Sequence, residues 1–467
     1  MSLNVGHSMT DREEIRKIIA KENSTVYFIG IGGISMSSLA MMTLGLSKKV
    51  FGSDIKRSAV TDHLQSRGVR IKYTHSRANI MEIMPSLAVY SLSVKNNNPE
   101  LVAARSMGIP AVSRAEYLGA LMEDYSVRIG VSGSHGKSTA CAMVGSVLSY
   151  ASLSPTILCG AEISDAGGYV DGDLGYLVYE ACEYGDSFLR FTPDIQIMLN
   201  LDFDHPDYFE DLESMKRSFL AAANLAKGAV IINTDDPDLE SLVTGITAPV
   251  ITFGSSEGAD YRYSVVSIER GRATFDLFFE QKLVSRFTLS VAGEFNVINA
   301  TAAIIAARML GVSDERIREG IEKFSGIKRR FEYLGNHAGI DLYYDYAHHP
   351  AEIEATEHTL RSMGYKSVCA VFSPHTYSRT KALFDGFVRA LSKFEAIYIT
   401  DIYGAREDAV VGVSAMALAN AIKAAGGSAS SLANECAVKD IILGNYDALV
   451  LMGAGDLDSI KREAEKL

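Results

Sequence analysis

The five cysteines, Cys141, Cys159, Cys182, Cys369 and Cys436, are scattered without a C-x-x-C pair. That pattern excludes a disulfide framework or a thiolate zinc site and predicts reduced thiols in a cytoplasmic protein. No H-x-x-x-H or H-E-x-x-H spacing is present either, which argues against an imidazole zinc centre. Basic excess is missing: the net charge is −12, so a broad nucleic-acid surface is not expected. The N-terminus MSLNVGHSMTDREEIRKII lacks the apolar core of a signal peptide. The longest apolar run, YFIGIGGISMSSLAMMTLGL, has the length of a membrane span. Glycines and serines interrupt it, and it reads as a strand, a tight turn and a buried helix rather than a span. Heptads, low-complexity tracts and short-period repeats are absent as well.

What remains is an ordinary globular composition, 47% apolar and 22% charged, over 467 residues, enough for two or three domains. Strand-like runs alternate with helical ones. STVYFIGIGG, KKVFGSD, IKYTH, LAVYSLS and IPAVS are β candidates in the first quarter. VRIGVSG, GYLVYEACE and DIQIMLNLD follow in a second unit, and GIDLYYDYAHHP, SVCAVFSPH, AIYITDIYG and DALVLMGAGD in a third. Such alternation predicts α/β units with parallel sheets. From about 249 to 292, beginning at PVITFGS, polar and apolar residues alternate between short turns, which reads as antiparallel β. The expected domains are 1–124, 125–328 and 329–467, with boundaries falling within 122–127 and 325–336.

GSHGKST, residues Gly133, Ser134, His135, Gly136, Lys137, Ser138 and Thr139, lies between a strand and an apolar helical face. There the backbone N–H groups and a helix N-terminus converge on an anion. Val131 stands where the long phosphate-loop pattern has its first glycine, so the loop is a short form. Lys137 would reach the outer phosphates and the Ser138 hydroxyl would hold Mg²⁺. Glu180 and Glu183 lie past one strand, and Asn200, Asp204 and His205 past another; the carboxylates and the one imidazole suit a Mg²⁺ shell. Taken singly, Glu183 reads as a solvated acid and His205 as a core histidine.

The turn Gly30, Gly32, Gly33, Ser35, with Asp54 ending the next strand, suits a dinucleotide such as NAD or any nucleotide diphosphate. Asp345, His348, His349, His375 and Arg379 sit at strand ends and would hold a carboxylate or phosphate. Arg406, Glu407 and Asp408 read as a charged surface loop.

In order, GIGGIS, GSD, NNNPE, GSHGKST, EACEYGDSF, DFDHPDY, GEFNVIN, SGIKRRFE, DYAHHPAEI, SPHTYSRT, DIYGARED and GAGD resemble the Mur ligase family of peptidoglycan synthesis. The resemblance spans about residues 24–460, and the family's short G-[ST]-x-G-K-[ST] loop matches Gly133–Ser138. It implies three domains: a Rossmann-like UDP-sugar domain, a central ATPase and a Rossmann-like C-terminal domain. The implied activity is an ATP-dependent amide ligase joining L-alanine to the lactyl carboxylate of UDP-N-acetylmuramate, with ATP and two Mg²⁺ ions. The glycine turn, with Asp54 and Ser91, would then face the UDP-sugar. Catalysis would fall to Lys137, Glu183, His205, His348 and Arg379, with Ser138, Glu183 and His205 as metal ligands. Asn296 and Asn299 would contact adenine, and Arg330 and Asp345 would reach the nucleotide. His348, His375, Arg379 and Tyr403 would line the sugar-nucleotide and amino-acid end.

Several positions depart from the family's pattern: Ser35 for glycine, Cys182, Tyr184 and Gly185 in the acidic loop, and Phe295 for histidine. Leu220 and Ala221 stand where sister ligases have a carbamylated lysine, which fits the alanine-adding branch. Competing readings are a recycling ligase that adds a preformed peptide, an NAD-dependent oxidoreductase, and a nucleotide-binding protein without catalysis. The oligomeric state is open.

Overall fold

The computed structural model describes residues 8–164, 167–405, 407–432, 446–455 and 457–466. Arg406, Cys436 and Asp456 of the GAGD stretch lie outside the described residues. The chain forms two compact units, one of residues 1–201, 216–254 and 302–320, the other of 202–215, 255–301 and 321–467.

The first unit opens with β1 (Thr25–Ile29), β2 (Lys49–Ser53), β3 (Arg70–Lys72), β4 (Leu87–Tyr90) and β5 (Ala111–Ser113). They form a parallel sheet in the order β3-β2-β1-β4-β5. Strand order reverses direction between β1 and β4, and there the Gly30–Gly33 turn leaves β1 for the helix Ile34–Gly45. A ligand crevice opens at such a switch point, outside the carboxyl ends of the strands. Further on come β6 (Val127–Ser132), β7 (Thr156–Leu158), β8 (Tyr169–Val170), β9 (Tyr176–Glu180), β10 (Ile195–Met198), β11 (Ala229–Asn233) and β12 (Val250–Gly254). They run β12-β11-β10-β6-β9-β7-β8, parallel except for β8. β6, β10 and β11 are almost continuously buried, as strands covered on both faces must be.

PVITFGS is not antiparallel as its texture suggests: β12 pairs in parallel with β11, Val230 opposite Val250. The connection from 234 to 249, with the turn of helix Pro237–Glu240, is long enough for a crossover. A short apolar run carries no sign of its direction.

In the second unit β13 (Tyr261–Glu269), β14 (Arg272–Phe279) and β15 (Lys282–Ala292) are the expected antiparallel meander. Its period of two puts Ala273, Phe275 and Leu277 inside, with Phe275 stacked on Phe287 at 5.6 Å. The last sheet contains β16 (Glu332–His337), β17 (Ile340–Asp345), β18 (Val368–Ser373), β19 (Ala396–Ile399), β20 (Ala429–Ser431) and β21 (Ala448–Gly453). Its order is β16-β17-β21-β18-β19-β20, parallel apart from the edge strand β16. One face packs Phe372, Phe387, Leu391 and Ile353, the other Tyr344, Val371 and Leu451. The four free cysteines among the described residues are Cys141, Cys159, Cys182 and Cys369.

Candidate active site

The loop after β6 has the geometry that its sequence implies. Gly133 has φ 145°, and a Cβ there would sit 3.1 Å from the Leu199 side chain and 3.3 Å from Asn200 N. Gly136, at φ 80°, is the N-cap of helix Lys137–Tyr150, so the backbone turns left-handed where the helix begins. Helix entry at this point aims the first N–H groups of the helix at the loop's concave side.

Lys137 Nζ donates to the carbonyls of Gly133 and Ser134 (3.1 Å) and to Glu183 Oε1 at 3.0 Å. Burial pushes the Lys137 ammonium down, but the Glu183 carboxylate outweighs it and the group stays above its ordinary value. Lys137 is therefore a held cation inside the loop, beside an acid that is itself 1% exposed. Glu180, at the end of β9, accepts from Cys159 Sγ at 3.3 Å and from the Gly160 N–H. Burial raises the Cys182 thiol, which makes it an inert neighbour rather than a nucleophile.

Asn200, just past β10, bonds the phosphate loop. Its side-chain oxygen accepts from His135 N at 2.8 Å and its amide donates to His135 O at 3.1 Å. Its backbone carbonyl accepts from Ser134 N at 3.2 Å. Asn200 thus clamps the phosphate loop to the end of β10, a pairing between distant segments that no local pattern announces.

At the first switch point, Asp54 Oδ2 accepts from Gly32 N at 2.8 Å, and its Oδ1 from Ile55 N and Lys56 N. A Cβ at position 32 would lie 2.8 Å from Asp54 Oδ2, so glycine is required for that approach. Asp54 therefore braces the turn. Ser35 lies in the first turn of the helix after it, and Ser91, past β4, bonds Ser93 at 2.5 Å.

The second unit gathers another cluster. Arg379, 3% exposed, donates from Nε and Nη2 to the two carboxylate oxygens of Asp204 at 2.7 and 3.1 Å, and from Nη1 to His375 Nδ1 at 2.8 Å. Burial would raise the Asp204 carboxyl, but Arg379 holds it well below the usual carboxylate range. His205 Nε2 lies 3.8 Å from Asp204. His348 meets His375 edge-on at 5.9 Å, and His375 stacks on Tyr403 at 5.7 Å. Burial pushes His348 down to about 4 and, with the Arg379 charge, His375 down to about 3, so both rings are neutral near pH 7. The anion that Arg379 holds in this structure is the carboxylate of Asp204.

Glu352, which sequence reading passed over, accepts from the N–H groups of His348 and His349 and lies 3.9 Å from Arg330. Its one local signal is the capping-box spacing from His349. Glu407, expected on a solvated loop, accepts from Ser378 N at 2.8 Å and Oγ at 2.5 Å and so anchors the helix Tyr377–Ala382. Asp345, at the end of β17, accepts from Thr356 Oγ1 and Phe331 N, and burial raises it to about 6. Asn299 donates to Asn296 Oδ1 at 2.9 Å, and both are buried at the start of helix Asn296–Met309.

A lysine-bearing glycine loop between a parallel strand and a helix, in a chain of successive α/β sheets, defines a nucleotide-binding protein of the phosphate-loop class. Three family models match in succession: the Mur ligase family catalytic domain at residues 25–126, the Mur ligase middle domain at 131–307, and the Mur ligase glutamate ligase domain at 329–455. The chain belongs to the Mur ligase family. The UDP-N-acetylmuramate–L-alanine ligase of Acetivibrio thermocellus is 40% identical over 440 residues, covering 92% of this chain and 93% of that protein. That of Lachnospira eligens is 41% identical over 451 residues, covering 94% and 98%. Among solved structures, the UDP-N-acetylmuramate–alanine ligase of Thermotoga maritima superposes with TM-score 0.81 at 27% identity, covering 95% of this chain and 98% of that one. A murein peptide ligase from Psychrobacter arcticus shares the fold, with TM-score 0.72 at 23% identity over 95% and 98%.

Proposed function

We propose that this chain is an ATP-dependent amide ligase that joins L-alanine to the lactyl carboxylate of UDP-N-acetylmuramate, giving ADP and phosphate, in cytoplasmic peptidoglycan synthesis. The observation that carries the reading is the Lys137–Glu183 pair inside a glycine loop, in a chain about 40% identical to alanine ligases over nearly its whole length. We take 1–124, 125–328 and 329–467 as its three domains.

The loop fits a triphosphate: Gly136 turns it into the helix Lys137–Tyr150, whose first N–H groups have no partner within the helix, and Lys137 adds a fixed cation. The oxygen donors Ser138 and Glu183 fit Mg²⁺, and His205 completes the ligand set that we assign to two ions. When bound, Mg²⁺ neutralises charge on the transferring phosphoryl group. A carboxylate is a poor acyl donor, so the lactyl carboxylate oxygen attacks the γ-phosphorus, ADP leaves, and an acyl phosphate forms. Lys137 balances the charge gathering on the phosphoryl oxygens. The L-alanine amine then attacks the acyl carbon and phosphate leaves with the former carboxylate oxygen. Neutral His348 and His375, with Arg379 and Tyr403, line the amino-acid end; Asp204 orients Arg379 there. Asn296, Asn299, Arg330 and Asp345 contact the nucleotide.

The peptide-adding alternative rests on a fold likeness, whereas the alanine ligases quoted above are near 40% identical. An NAD-dependent oxidoreductase would leave the Lys137–Glu183 pair in the glycine loop without a role. Turnover with UDP-N-acetylmuramate labelled with ¹⁸O in its carboxylate tests the chemistry. One label should appear in the released phosphate and one in the new amide. Unlabelled phosphate would rule the acyl phosphate out.

A further inference from the structure

Glu352 faces residues assigned to both ends of the site, and helix capping accounts for only one of its oxygens. It is the third residue of the helix Pro350–Ser362, with its side chain 14% exposed. Oε2 accepts from His348 N at 2.9 Å and His349 N at 3.2 Å, the reciprocal half of a capping box. Glutamine serves a capping box as well as glutamate does, so what Glu352 adds beyond the cap is charge. The same Oε2 lies 3.3 Å from His348 Nδ1, and Oε1 lies 3.9 Å from Arg330 Nη1. Burial pushes His348 down and the Glu352 charge opposes it; burial raises Asp345 and the same charge adds to the rise.

His348 Nδ1 is 2.8 Å from the Tyr346 carbonyl oxygen. A carbonyl only accepts, so Nδ1 carries the ring proton, on the side where Glu352 lies. The ring is neutral near pH 7, which leaves Nε2 an acceptor. L-Alanine must present a neutral amine to the acyl carbon, and an amine offers N–H donors. An imidazole acceptor can hold one of them and leave the nitrogen lone pair for the attack. Tyr346 serves both sides of Glu352: its carbonyl fixes His348, and its ring lies 4.9 Å beneath the Arg330 guanidinium.

We propose that Glu352 is a positioning residue of the ligase reaction: its charge holds His348 with Nε2 presented to the L-alanine amine and draws Arg330 into place beside the nucleotide. This rests on the ligase reading above. The test joins KM values for ATP, L-alanine and UDP-N-acetylmuramate in the full chain with calorimetric ADP binding and thermal melting. Glu352→Gln keeps an acceptor oxygen for the two N–H groups and removes the charge. It should melt close to wild type, raise the KM values of L-alanine and ATP about ten-fold each, and leave that of UDP-N-acetylmuramate unchanged. ADP binding should weaken about ten-fold in Glu352→Gln and in Arg330→Ala. The double variant should be no more than about two-fold weaker than Arg330→Ala, because one residue acts through the other. An unchanged KM for either L-alanine or ATP would overturn the proposal, as would a UDP-N-acetylmuramate KM that rises in step, or ADP losses that simply multiply. If Glu352→Gln does not fold, Glu352→Asp decides: it keeps the charge, shortens the reach by one methylene, and should give the same split between substrates. Wild type that releases no phosphate with L-alanine and UDP-N-acetylmuramate would overturn the ligase reading itself, a different result from an active wild type that Glu352→Gln leaves unaltered.

Discussion

Lys137 and Glu183 show how much one pair of side chains decides. The half-buried ammonium is kept charged by an acid 3.0 Å away, so it needs no reorganisation when charge gathers on a phosphoryl group. Lys137→Ala should lower phosphate release by at least about 10²–10³-fold at saturating substrates, while UDP binding is retained. Loss of UDP binding as well would mean a general unfolding. Asn200→Ala removes both side-chain bonds that hold the loop at His135, and a rise of about ten-fold in the ATP KM is expected with little change in the KM of UDP-N-acetylmuramate. Residue types at the site were legible because GSHGKST carries its own mechanism. Their partners were not: Asn200 on His135, Asp54 on Gly32 and Asp204 on Arg379 are contacts between distant segments.

The segments after β17 and β18 carry two half-buried neutral imidazoles beside an arginine–aspartate pair. His348 and His375 have folded values of about 4 and about 3, against an ordinary 6.5, chiefly through burial. The folded state then binds fewer protons than the unfolded one below pH 6.5. Their contribution is complete above that pH and is lost as pH falls toward the folded values, by roughly 2 kcal/mol per ring at pH 5. Asp345 has the opposite sign: raised to about 6 by burial, it costs nothing below its ordinary value of 3.8 and lowers stability as pH rises through 6. Urea midpoints should accordingly fall between pH 7.5 and 5, more steeply in Asp345→Asn and less steeply in His375→Gln. Equal slopes in the three proteins would contradict these burial effects. At this scale the parallel strands and the β13–β15 meander were legible from periodicity. The direction of β12 was not, since its five residues pair in parallel through a crossover that composition does not reveal.

Across the whole molecule, the succession of three sheets followed from strand–helix alternation, and the order of twelve short stretches pointed to the family that three matched models show. Which acceptor is used was less legible, because the peptide-adding relative shares the fold over 95% of the chain. The most direct measurement is phosphate release from ATP and Mg²⁺ with UDP-N-acetylmuramate, comparing L-alanine, no amino acid and L-Ala-γ-D-Glu-meso-diaminopimelate, with the product weighed. Release that requires L-alanine, with a product heavier by one alanyl residue, is the predicted result. Release with the tripeptide alone, or none with any acceptor, would contradict the account.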